Sequence, residues 1–424
     1  MGKDLFAIAL TLVSRAFTAL GGLVLSILIA RSFGAESLGQ FTVFLSLLGF
    51  LAILAKYGLD VIIIRAVAWA ESGLSSTASN FLLQWGVLKV VVPAVCLGVI
   101  GSALLFSGAL GKPFPGTVVL MPVALTALTV LALVAGYYKG KSLSWIAPLF
   151  EIGGISILTS IYFLVFLSLS TAPDQTYLSW AFFAANLSLI LAASSKFLSD
   201  SSSGMIVSRG ERDRPHELDA GRFEFTIIAL AGYLTQAGSF LLAAPFLNES
   251  DIGLLRSAER FALLVSFPVL AITPVISPRI AKLSRIGSQG ELSRLIKGSL
   301  LISGSMSLIL LGVLFLWSED ALALLGDEFV PARLYLWVIA SAHFLIAFIG
   351  PLTALLNMAG HERVSMRISS MTLILMLFLV PLMCVYFGGV GFVIAYLFVV
   401  VCRLALIVLG IILVNRNTVA HMSR

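Results

Sequence analysis

ARSFGAESLGQF at residues 30–41 and APFLNESDIGLL at residues 244–255 open two stretches built alike. Each leads from a glycine-bearing polar turn into a long apolar run that stops at a cation, Arg65 in the first and Arg279 in the second. The spacing from Gly39 to Gly253 equals that from Arg65 to Arg279. One half therefore reads as a copy of the other in the same order. Repeated bundles of membrane helices build transport sites at the interface between repeats.

Composition sets the medium. Apolar residues make up 59% of the 424-residue chain and charged residues 11%, against about 25% charged in soluble domains. A hydrocarbon core of roughly 30 Å takes about 20 helical residues to cross. About twelve blocks reach that length, near 5–30, 38–60, 80–107, 117–138, 145–169, 176–197, 223–247, 252–277, 295–317, 333–357, 366–387 and 389–414. Backbone polar groups in lipid must be satisfied within a segment, so these blocks read as helices. The expected fold is an all-α polytopic membrane protein of two six-helix lobes related by a parallel repeat. The first block is too long for a signal-peptide core and reads as a retained helix.

The lobes are expected at 1–198 and 222–424. Between them, residues 199–221 carry the serine-rich, mixed-charge stretch DSSSGMIVSRGERDRPHELDAG and read as a cytoplasmic linker. With both termini in the cytoplasm, the lysines and arginines outside the spans fall on the cytoplasmic side, save Arg31, Lys112 and Arg333. The net charge of +6 is then a topology signal, and no nucleic-acid partner is needed.

Signs of catalysis are missing. Cys96, Cys384 and Cys402 lie inside apolar spans without metal-ligand spacing, and His343 lies within the tenth span. No HExxH motif, Cys–His cluster or catalytic carboxylate pair occurs, so neither a metal nor a cofactor is expected.

Ionisable residues inside spans are costly and usually face a cavity or a partner. The cations in or beside the spans are Arg15, Lys56, Lys89, Arg256, Arg260 and Arg403, and the anions are Asp60, Glu151, Glu224 and Glu259. Arg15 sits about 15 Å into the first helix at 1.5 Å per residue, near the bilayer midplane. Thr11, Thr18, Gly22 and Ser26 share its stripe, which fits either tight packing or a cavity wall. Arg256 and Arg260 share a helical face, with Glu259 placed to pair with Arg256. One glutamate cannot neutralise both. Gln236 belongs to an uncharged stripe on the seventh helix, and Lys89 is a secondary candidate. Arginine suits bidentate recognition of phosphate oxygens, so the expected ligand is anionic.

ARSFGAESLGQF followed by GLDVIIIRAVA at 58–68 resembles the helix 1–2 signature of polysaccharide flippases, within the multidrug/oligosaccharidyl-lipid/polysaccharide exporter superfamily. NESDIGLLRSAERF at 248–261 resembles the start of their eighth helix, and FGGVGFVIAY at 387–396 their turn between helices 11 and 12. Ala35 stands where that family commonly has proline. The resemblance implies a V-shaped bundle with a central cavity lined by helices 1, 2, 7 and 8. It also implies a lipid-linked anionic oligosaccharide as ligand, carried by alternating access across a bacterial inner membrane with membrane lipids around the protein. A polysaccharide polymerase or other assembly proteins would be its partners. Arg15, Thr18, Gln236, Arg256 and Arg260 would then contact substrate, with Arg31 as a gate or exit contact.

Two other readings are open. A cation-coupled multidrug or metabolite antiporter of the same superfamily needs a titratable or sodium-binding carboxylate, for which Glu151, Asp60 and Glu224 are the candidates. A membrane glycan polymerase or ligase shares the helix number and basic charge but usually carries a large outer loop. Here the longest polar segment is 199–221.

Overall fold

The computed structural model describes residues 2–73, 76–141, 143, 145–169, 174–201, 222–286 and 288–422. Among these, helices form the whole architecture apart from one isolated bridge between Ala109 and Gly111. In chain order they are α1 (Gly2–Lys56), α2 (Leu59–Gly73), α3 (Ser76–Phe106), α4 (Thr117–Gly140), α5 (Ile152–Leu169), α6 (Gln175–Ser201) and α7 (Arg222–Leu234). There follow α8 (Ser239–Ala243), α9 (Glu249–Ala262), α10 (Phe267–Ile286), α11 (Gln289–Leu316), α12 (Ser318–Ala323), α13 (Arg333–Met358) and α14 (Glu362–Met422). Nine stretches of the described residues are long and apolar enough to cross a bilayer. Two of them, Val13–Lys56 and Arg363–Val414, exceed one crossing, and each contains a glycine break.

Gly34 breaks α1 at φ 81 and ψ −177, and Gly388 breaks α14 at φ 58 and ψ −140. Side chains disfavour both conformations, so glycine is the residue that permits each reversal. The second break falls in the turn expected from FGGVGFVIAY. At the first, the helix restarts with Ala35, whose N–H donates to Glu328 Oε1 at 3.0 Å. Proline has no N–H to give. Ala35 thus uses a donor that the proline of the related pattern would remove.

The exposed side chains agree with an apolar surround. Phe106, Val119, Leu169, Leu316 and Leu88 are each more than three-quarters exposed, a density of bare apolar surface that soluble monomers avoid.

By its contacts the chain divides into unit 1, Met1–Phe33 with Gln40–Leu241, and unit 2, Gly34–Gly39 with Leu242–Arg424. Unit 1 is centred on Phe41, Phe44, Phe114 and Phe182, whose ring centroids lie 5.6–6.0 Å apart. Residues 222–241 belong to unit 1 by their contacts. Three contacts explain this. Arg222 Nε donates to Tyr57 O at 3.2 Å, Tyr233 Oη donates to Ser46 O at 2.9 Å, and Ser46 Oγ donates to Ala237 O at 3.1 Å. Gly49 makes room, since a Cβ there would stand 2.3 Å from Tyr233 Oη. Most of the 199–221 segment lies outside the described residues.

In unit 2, Ile276, Ile280, Leu292, Ile296 and Ala354 form a buried core. Between α9 and α10 the chain tightens into a 3-10 turn, Leu263–Ser266, just before Pro268. Proline cannot supply the i→i−4 bond to Leu264 O. The Phe267 N–H donates to that carbonyl instead.

The duplicated glycines meet. A Cβ on Gly39 would lie 1.6 Å from Glu249 O, and one on Gly253 would lie 2.0 Å from Ala35 O. Both obstacles are backbone and neither can rotate away. Gly39→Ala and Gly253→Ala should each destabilise the fold by about 3 kcal/mol, the upper end for overpacking. Gly312→Ala, whose added Cβ meets nothing within 4 Å, should leave stability unchanged or raised. Thermal melting of the detergent-solubilised variants checks the contrast.

Candidate functional site

The polar cluster in unit 2 starts from α9. Its sequence ESDIGLLRSAERFA begins under an Asn248 cap, whose side chain accepts from the Asp251 N–H at 2.7 Å. The cap fixes the helical phase, and that phase turns Arg256, Glu259 and Arg260 toward the interior of the unit. Arg256 Nη1 donates to Glu259 Oε2 at 3.0 Å, with the two side chains 9% and 14% exposed. One turn on, Arg260 Nε is buried and, among the described residues, has no hydrogen-bond partner.

Other helices add to this cluster. His343 on α13 is buried, with Nδ1 3.1 Å from Ser266 Oγ. Ser266 gives its single hydroxyl hydrogen to Leu263 O at 2.9 Å, so His343 Nδ1–H must be the donor of that pair. His343 Nε2 is then buried without a partner among the described residues. The Tyr396 ring on α14 lies 6.3 Å from the imidazole. Further along α14, Arg403 Nε is also buried and unpartnered. Glu259 is within electrostatic reach of Arg260, His343 and Tyr396, and Tyr396 of Arg403. Two guanidinium groups and an imidazole thus gather about one carboxylate, with Arg403 reaching the cluster through Tyr396. Buried orphaned donors cost about 1–3 kcal/mol each, and more when charged. An oxyanion is the chemical partner that such donors fit.

The remaining expected residues are placed as follows. Arg15 is exposed on α1, while Thr18 is buried, donates Oγ1 to Arg15 O at 3.0 Å and packs against Gly153. Gln236 is exposed at a break, Thr235–Gly238, that interrupts the continuous seventh helix expected from sequence. There Tyr233 O accepts from both Gln236 N and Gly238 N, at 3.0 and 2.9 Å. Irregular backbone at membrane depth survives where it is buried in protein or lines a watery cavity. Arg31 is exposed, and Lys89 Nζ sits 4.1 Å over the Trp85 ring.

The coupling candidates do not join the unit 2 cluster. Asp60 pairs with Lys56 and Glu151 with Lys139, each at 2.6 Å. Sequence reading put Glu151 inside a span from 145, but a 3-10 turn at Ala147–Phe150 delays α5 to Ile152 and leaves Glu151 at the helix boundary. The Glu224 side chain lies outside the described residues. No group of three or more His, Cys, Asp or Glu among the described residues is placed to hold a metal.

His343 and Arg403 are additions to the site expected from sequence. Each is a lone polar residue in an apolar span, and that was the available signal. Their convergence with Arg260 is tertiary, which no spacing within one helix reveals.

The family model described as polysaccharide biosynthesis protein matches residues 7–284. An inward-facing multidrug resistance MATE family transporter of the MOP superfamily has a similar structure, with a TM-score of 0.72 at 14% identity over 97% of this chain and 98% of that one. The lipid II flippase MurJ in an inward closed conformation gives 0.67 at 13% identity over 95% and 87%. A MOP superfamily transporter from Pyrococcus furiosus, described as having a binding pocket of reverse polarity, gives 0.63 at 12% identity over 99% and 95%. No curated protein matches the chain. The fold is that of a MATE/MOP-type, all-α polytopic membrane protein.

Glu259→Gln removes the carboxylate that Arg256 holds at 3.0 Å and should cost about 3–5 kcal/mol, the usual result of breaking a buried pair from one side. The double variant Arg256→Met/Glu259→Gln should recover much of that loss. A double-mutant cycle of melting temperatures measures the coupling.

Proposed function

Because the chain belongs to the polysaccharide biosynthesis protein family, we propose that it flips a polyprenyl-pyrophosphate-linked oligosaccharide from the cytoplasmic to the periplasmic face of a bacterial inner membrane. Movement is by alternating access and serves cell-surface polysaccharide synthesis of the O-antigen or exopolysaccharide kind. The protein is a transporter, not an enzyme. The observation that carries this reading is the set of buried arginines Arg260 and Arg403, whose Nε atoms have no hydrogen-bond partner among the described residues, beside the Arg256–Glu259 pair. A pyrophosphate is doubly suited to it, being anionic and rich in acceptor oxygens. Such a group cannot enter hydrocarbon unaided, so a cationic path is what a flippase must supply. Arg15, exposed on α1, and Gln236, exposed at the Thr235–Gly238 break, are proposed as further substrate contacts, with Thr18 next to Arg15 on its helix.

The proposed number of crossings is twelve: to the nine apolar stretches among the described residues it adds a second arm at each of the Gly34 and Gly388 breaks and the shorter apolar helix Phe225–Leu234. The excess of lysine and arginine at one set of loops puts both termini in the cytoplasm.

The antiporter reading asks for a carboxylate free to take a cation. Asp60, Glu151 and Glu259 each already have their charge balanced by a lysine or arginine, so none offers the net negative charge that drives cation coupling, which favours an anionic cargo.

The test is flipping of a fluorescent lipid-linked oligosaccharide in proteoliposomes. Arg260→Ala and Arg15→Ala should each slow transfer roughly ten- to hundredfold, the equivalent of about 1.5–3 kcal/mol per charged hydrogen bond. Arg260→Lys should retain an intermediate rate. Unchanged flipping by well-folded alanine variants would remove those residues from the path. Faster uptake of an organic cation than of the glycolipid would favour the antiporter.

A further inference from the structure

Unit 1 holds a cavity of about 370 Å³ that the transport reading does not use. Its charged lining consists of Lys56, Asp60, Lys139 and Glu151, joined as the two 2.6 Å pairs. The apolar wall includes Ile53, Leu128, Phe150 and Ile152. The volume falls within the range of small-molecule sites.

The four charges have a common level. Lys56 ends α1, Asp60 lies in the first turn of α2, Lys139 lies in the last turn of α4, and Glu151 immediately precedes α5. Charges at the ends of spanning helices stand where the bundle meets lipid head groups. The cavity is therefore an interfacial one, apolar on one side and charged on the other.

Its charges also have spare capacity. An ammonium has three donors and a carboxylate about four acceptor sites. In each pair one lysine Nζ meets one oxygen, Asp60 Oδ2 in one and Glu151 Oε1 in the other. Among the described residues, two donors on each lysine, with Asp60 Oδ1 and Glu151 Oε2, are left to serve a ligand without either pair separating. The set is electrically neutral and offers both signs twice. A purely anionic ligand would meet two carboxylates, and a purely cationic one would meet two ammonium groups.

We propose that this cavity binds a phospholipid whose zwitterionic head carries a phosphate and a primary ammonium, as in phosphatidylethanolamine. The phosphate accepts from Lys56 or Lys139, the ammonium donates to Asp60 or Glu151, and the acyl chains begin along the apolar wall. Phosphatidylcholine carries no N–H to donate to the carboxylates. Phosphatidylglycerol carries no cation. The site is independent of the cargo assigned to the unit 2 cluster.

Native mass spectrometry of the purified full chain tests it, with equimolar dioleoyl-phosphatidylethanolamine, -phosphatidylglycerol and -phosphatidylcholine. The ethanolamine lipid should be retained over each of the others by roughly tenfold, as one charge-assisted hydrogen bond provides. Lys139→Met/Glu151→Gln and Lys56→Met/Asp60→Asn remove one pair at a time without orphaning a charge, and each should lower that preference. Equal retention of the three lipids by the unaltered protein would overturn the proposal, and that comparison needs no variant to fold. A preference surviving in both double variants would also overturn it. So would equally tight binding of water-soluble glycerophosphoethanolamine, which would make the ligand a free zwitterion.

Discussion

Gly39 and Gly253 bring backbone against backbone. The Glu249 carbonyl oxygen lies 1.6 Å from where a Gly39 Cβ would stand, and the Ala35 oxygen 2.0 Å from that of Gly253. Nothing larger than hydrogen fits at either place. The contact seats residues 34–39 against the start of α9, where Glu328 also takes the Ala35 N–H. The phase of α9 is set by its own start, and that phase turns Arg256, Glu259 and Arg260 inward. A steric constraint at two glycines thereby supports an electrostatic arrangement further along the same helix.

That arrangement concentrates positive charge where it is expensive. Arg256 has Glu259, but Arg260 and Arg403 keep buried Nε donors that have no partner among the described residues. Natural folds rarely leave such groups unsatisfied without a purpose. Elsewhere the same chain pairs its charges closely, Lys56 with Asp60 and Lys139 with Glu151. The contrast between paired charges at the helix ends of unit 1 and an excess of arginine inside unit 2 is the electrostatic signature of the molecule. It suits a protein that receives an anion within the membrane.

The fold was largely legible in the sequence because hydropathy acts locally. Span after span could be placed by length alone, and FGGVGFVIAY announced the Gly388 reversal. What escaped was tertiary. Tyr233 reaches a backbone carbonyl on α1 and Arg222 one just beyond its end, contacts that no apolar pattern encodes. Glu151 proved to sit at a helix boundary because Pro148 and the preceding 3-10 turn delay α5. In the site, the i,i+3 relation of Arg256 and Glu259 was readable from one helix. The approach of His343, Tyr396 and Arg403 from α13 and α14 was not.

Organic extraction of the purified protein, followed by mass spectrometry of the extract, tests the central claim most directly. A polyprenyl pyrophosphate bearing sugars should co-purify with the unaltered chain and be depleted in an Arg256→Met/Glu259→Gln/Arg260→Ala variant of normal fold. Extracts containing only ordinary phospholipids, or the same glycolipid at equal abundance in that variant, would contradict a pyrophosphate-binding role for the unit 2 cluster.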